Sequence, residues 1–150
     1  MDHPVNFDDL LNAFEWVSAG AQYDNTAYIH RVTGKVFFDS DEFEPEEPLP
    51  EDYEDGTLYI AAPHKNELNL GRNLVFDFVE ENMPESLGVV QDFFRKKGAY
   101  SRYKDLLERK GRLDDWHRFE AAAVEAALRD WAAENKLDIS PSQRPPKSPH

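Results

Sequence analysis

Residues 21–40 read AQYDNTAYIHRVTGKVFFDS, and this stretch decides the fold. Tyr, Thr, Ile, Val and Phe dominate it, and Thr33-Gly34 falls where a tight turn would join two extended runs. The reading is a β-hairpin with strands near 22–32 and 35–39. Further on, TLYIAAP at 57–63 is a short apolar run expected to pair with that hairpin, so a small antiparallel sheet spans about residues 22–61. Before the hairpin, NFDDLLNAFEWVSA at 6–19 spaces Phe7, Leu10, Leu11, Phe14 and Val17 by threes and fours. That spacing predicts an amphipathic helix, capped by Asn6, with Asp8 and Asp9 at the positive end of its dipole and Gly20 at its close.

The chain changes character after Pro63. Four amphipathic stretches follow: GRNLVFDFVEENM at 71–83, ESLGVVQDFFRKK at 85–97, AYSRYKDLLERK at 99–110 and LDDWHRFEAAAVEAALRDWAAEN at 113–135. Pro84, Gly98 and Gly111 punctuate them. The fold class is therefore α+β: an N-terminal helix, a small sheet and a helical C-terminal half over about 70–135. Residues 39–55 carry ten acids, no base and three prolines, which predicts a solvated acidic loop over 39–56. Residues 138–150, DISPSQRPPKSPH, have four prolines and no apolar period, so a disordered tail is expected after a single domain at 1–137.

Composition narrows the function classes. The 150 residues are 40% hydrophobic, carry a formal charge of −13 and contain no cysteine, so disulfides, thiolate catalysis and Cys-based zinc sites are excluded. No apolar run approaches a membrane span, and the acidic N-terminus lacks the basic and apolar regions of a signal peptide, so a cytoplasmic location is expected. The charge is uneven. Residues 1–94 hold four basic and twenty-one acidic side chains, a net of −17, whereas residues 95–118 hold nine basic and four acidic, a net of +5.

The order of helix, TGKV hairpin, acidic loop, short strand and FDFVEE, then KKGAYSRYKDLL and DDWHRFEAAAVEAALRDWAAEN, resembles a bacterial group of small proteins, the Uncharacterised Protein Family 0158. The resemblance covers roughly residues 7–137 and is most specific from Gly98 to Asn135. It implies a small, single-domain, cytoplasmic bacterial protein and transfers no activity. The acidic loop and the proline tail are more extreme than the family leads one to expect.

Catalytic signatures fail on inspection. VTGKV lacks the Walker A glycine, having Ile29 in that place, and has Val36 where Ser or Thr is needed. Glu44 and Pro50 occupy the positions that a calcium loop starting at Asp39 requires to be Gly and Glu. His3, His30, His64, His117 and His150 never fall at metal-ligand spacing on one helix. A metal-dependent hydrolase using Asp114, Asp115, His117 and Glu120 remains an alternative, although acids and a histidine early in a helix are ordinary companions of its dipole.

The basic stretch at 95–118 is the better candidate for binding. Arg95, Lys96 and Lys97 close a helix, where cations suit the carbonyl end, and Arg102 with Asp105 and Lys104 with Glu108 can pair along the next. Lys97, Arg102, Lys104, Arg109, Lys110 and Arg112 still crowd two helix junctions. They could hold a phosphate or a carboxylate-rich protein, with Tyr100 or Trp116 as a stacking ring. Solvated helix faces are the preferred account of this charge. The expectation is a non-catalytic protein-interaction or regulatory module without a cofactor, whose partner is another protein rather than nucleic acid. A second alternative is an acidic nucleic-acid mimic acting through loop 39–55.

Overall fold

In the computed structural model, which describes residues 4–21, 24–42, 45 and 47–140, the first element begins where the Asn6 side chain caps it. The Asn6 carboxamide oxygen accepts from the Asp8 and Asp9 amides at 2.8 and 3.3 Å, which satisfies donors the helix itself leaves open. Helix α1 (Phe7–Ser18) buries Phe7, Leu10, Ala13, Phe14 and Val17, one apolar stripe at the expected spacing. It closes at Ala19 in an ordinary right-handed conformation, so Gly20 does not serve as a left-handed cap.

Strands β1 (Asn25–His30), β2 (Val36–Ser40) and β3 (Tyr59–Ala61) form an antiparallel sheet in the order β2-β1-β3. Gly34, at φ 75°, makes the hairpin turn. The imidazole Nδ1 of His30 accepts from the Val32 and Thr33 amides at 3.1 Å each, so this histidine fastens the turn. Ala27 and Ile29 are wholly buried and pair with Phe38, Val36 and Ile60, on the sheet face that meets α1. Trp16 fixes α1 there: its indole N–H lies 3.0 Å from both the Thr26 and Asp39 carbonyls, and its ring meets Phe38 edge-on.

The other face carries Tyr28, His30, Phe37 and Tyr59; His30 and Phe37 each meet Tyr59 edge to face, and Tyr53 of the acidic loop packs on Tyr28 at 5.0 Å. The loop is therefore not wholly solvated. Successive turns hold residues 50–59, and Asp55 accepts from the Thr57 hydroxyl and amide, which lowers its carboxyl pKa. Arg31 donates to the Gly56 carbonyl and to the Asn135 carbonyl, at 3.0 and 2.9 Å.

The chain divides into two compact units, residues up to Leu68 with those from Ala127, and Asn69–Ala126. In the second, α2 (Arg72–Asn82), α3 (Leu87–Phe93), α4 (Ala99–Arg109) and the first turns of α5 (Leu113–Glu134) enclose Val75, Phe78, Val79, Met83, Val90, Tyr103, Leu107 and Trp116. The last turns of α5 belong to the first unit. After α5, Leu137 is buried and Ile139 forms a parallel bridge with Val5. The Val5 amide donates to the Asp138 carbonyl and the Ser140 amide to the Val5 carbonyl, both at 2.8 Å. Residues 138–140 are thus ordered, contrary to the expected tail, and the rest of that stretch lies outside the described residues. The architecture is α+β, as expected. Among the described residues no helix is long and apolar enough to cross a membrane.

Candidate functional site

The cations of α4 do not share one face. At about 100° per residue, Arg102 and Arg109 lie roughly 20° apart around α4, whereas Lys104 lies about 160° from Arg102. Between the two flanks runs the buried stripe of Tyr103, Leu106 and Leu107. Lys97, Arg102, Lys104, Arg109, Lys110 and Arg112 are all exposed. Lys110 pairs with Glu85 at 3.6 Å, Arg112 with Asp115 at 3.2 Å and Arg95 with Asp92 at 3.7 Å. The expected pairs Arg102–Asp105 and Lys104–Glu108 do not form among the described residues. Those two cations are therefore solvated, and the charge is spread rather than focused.

The two candidate stacking rings part company. Trp116 is 3% exposed and meets Phe78 and Tyr103 edge-on at 5.5 and 5.1 Å. Its ring faces are taken by the core and it offers no platform, because its helical spacing placed it on the apolar stripe. Tyr100 is 40% exposed and stands edge-on to Phe94. Burial, then the charge of Glu120, raise the pKa of both Tyr100 and Tyr103.

Of the acids at the start of α5, Asp115 is engaged elsewhere. The Asp115 carboxylate accepts from Arg112 and from Arg118, so it closes a surface ion-pair triad. Among the described residues no three His, Asp or Glu side chains are grouped as metal ligands.

A different place in the fold is concave. Beside β2 lies a cleft of about 880 Å³, bounded by Asn12, Glu15, Trp16 and Ala19 of α1, by Val36–Ser40, and by Pro45 and Glu47 of the acidic loop. Its position follows from topology: β1 is central, so β2 is an edge strand. The ladder can be phased from its two ends, where the His30 amide donates to the Lys35 carbonyl and the Asp41 amide to the Asp24 carbonyl. Antiparallel bonding alternates, so residues 35, 37, 39 and 41 bond inward. The amides and carbonyls of Val36, Phe38 and Ser40 point away from β1, toward the cleft, with no partner among the described residues. Trp16, Phe37 and Phe38 supply apolar surface, and Glu15, Asp39 and Glu47 supply negative charge. Glu47 is bound by Lys35 at 3.0 Å, and Lys35 also lies over the Phe37 ring at 5.0 Å.

Sequence reasoning found the strand but not this site. The β-branched and aromatic run from Val36 to Phe38 shows that a strand exists, and nothing in it shows that the strand is an edge. Comparison of the chain with protein-family models, with curated proteins and with solved structures finds no match.

Proposed function

We propose that this chain is a non-catalytic interaction module that works by binding another protein, in keeping with a cytoplasmic location and with membership of the Uncharacterised Protein Family 0158. The observation that carries the reading is the cleft beside β2: a strand edge without a partner among the described residues, half-buried aromatic rings and carboxylates meet in one concavity. Ligand sites are usually concave and largely apolar with a few polar groups, and a free edge is a common seat for a protein segment. Among the cleft's described residues the Ser40 hydroxyl donates to the Asn25 carboxamide at 2.8 Å and to no carboxylate.

The alternatives have weaker support. A hydrolase on Asp114, Asp115, His117 and Glu120 would need Asp115 released from two arginines. A nucleic-acid mimic on loop 39–55 would need acids held at phosphate spacing, and two of its described acids, Glu47 and Asp55, are tied to Lys35 and Thr57. Binding through the α4 cations would draw on two separate flanks.

The test is capture from lysate with a tagged chain, run beside Phe38→Glu and Arg102→Ala. The expected result is a protein partner retained by the parent and by Arg102→Ala and lost by Phe38→Glu. Capture of no protein, or loss with Arg102→Ala alone, would overturn the reading.

A further inference from the structure

We infer that the open edge of β2 accepts an extended, lysine- or arginine-bearing segment of another protein as a fourth strand of the sheet. This deepens the interaction-module reading and rests on it. The backbone argument comes first. Val36, Phe38 and Ser40 present their amides and carbonyls outward in alternation along a five-residue strand that contains no proline. Natural proteins blunt such edges with proline, bulges or coverage. The paired strand here runs without a bulge, Val36 to Ser40 opposite Ile29 to Asn25. The far edge, on β3, is three residues long and offers a shorter ladder.

Side chains then define the occupant. In a strand, successive side chains point to opposite faces. On the α1 side an arriving strand would meet Trp16 and Phe38, with Glu15 at the rim; on the other side it would meet Phe37, with Asp39 and Glu47. Each face of the arriving strand would thus meet both an aromatic ring and a carboxylate. Glu15 and Asp39 have no ion-pair partner among the described residues. Residues 1–68, in the same compact unit as the cleft, hold three basic and sixteen acidic side chains, a net of −13, which attracts a cationic segment and repels an acidic one. Charge complementarity therefore selects a basic segment that also carries apolar residues, and the β2 backbone groups that have no partner among the described residues select its extended conformation.

The test uses the full chain and three synthetic seven-residue probes: alternating Lys and Val, the same peptide N-methylated at every backbone nitrogen so that neither edge can donate, and an alternating Glu and Val version. N-methylation removes backbone donors and keeps the charge. The expected result is binding of the first probe, with the amides of Val36, Phe38 and Ser40 slowed in hydrogen exchange, and affinity at least about tenfold weaker after N-methylation. Glu15→Lys, an exposed change that leaves the core alone, should weaken the first probe about three- to tenfold. The Glu–Val probe should not bind.

Equal binding of the methylated and unmethylated peptides would show plain charge attraction and overturn strand addition. Absence of binding by the Lys–Val probe would overturn it too. Either failure, alongside successful lysate capture that Phe38→Glu abolishes, would leave the interaction module standing and remove only the strand-addition mode.

Discussion

Tyr103 has a wholly buried side chain whose hydroxyl finds no hydrogen-bond partner among the described residues. A buried donor without a partner costs stability, so Tyr103→Phe should leave the chain as stable or raise its stability by up to about 1 kcal/mol in urea denaturation. A loss of more than that would show the hydroxyl to be bonded. Burial, with the Glu120 charge second, also holds the Tyr103 phenol above its ordinary titration range. The folded chain then keeps a proton that the unfolded chain releases, so this contribution is intact below about pH 10 and lost as pH rises beyond it. The urea midpoint should fall between pH 8 and 11, and by less in Tyr103→Phe. Helical spacing made Tyr103 legible as core; nothing in the sequence could show that its hydroxyl would lack a partner. His64 is a similar case. It is 2% exposed, with Nδ1 accepting from the Asn66 amide and Nε2 2.9 Å from the Gly20 carbonyl. That role depends on a contact 44 residues away, which local pattern does not encode.

At the scale of elements, two helices end in the same motif with different residues. After α4 the Arg112 amide donates to the Leu107 carbonyl and Gly111 sits at φ 68°; after α5 the Leu137 amide donates to the Ala132 carbonyl and Lys136 sits at φ 58°. Both are Schellman closures, in which the left-handed residue favours glycine. Gly111→Ala should therefore cost about 1 kcal/mol and Lys136→Gly should return roughly 0.5–1 kcal/mol, both read from thermal or urea unfolding. Equal effects at the two sites would contradict this account. Gly111 was legible as a stop because glycine marks this position, whereas Lys136 carries no such mark. The Val5–Ile139 bridge was invisible for a related reason. Strand pairing between the ends of a chain leaves no local periodicity, and the prolines that follow Ile139 suggested disorder from residue 138.

For the whole molecule the deciding quantity is where charge sits. Residues 1–94 and 95–118 differ in sign, at −17 and +5, yet the cations straddle α4 instead of meeting. The chain should bind neither DNA nor RNA at about 50 mM salt, and Arg102→Ala should change stability by no more than a few tenths of a kcal/mol. Tight binding with a log–log salt slope near −3.6, about four phosphates at −0.9 each, would contradict that. The order of elements was legible because amphipathic periods and breakers are local. The cleft was not, since it depends on which strand ends up at the sheet edge. The most direct test of the central claim is site-specific photocrosslinking in lysate, with a benzophenone side chain at residue 38 in one chain and at residue 102 in another. The account predicts a discrete protein adduct from position 38 and none from position 102; an adduct from 102 alone, or from neither, would contradict it.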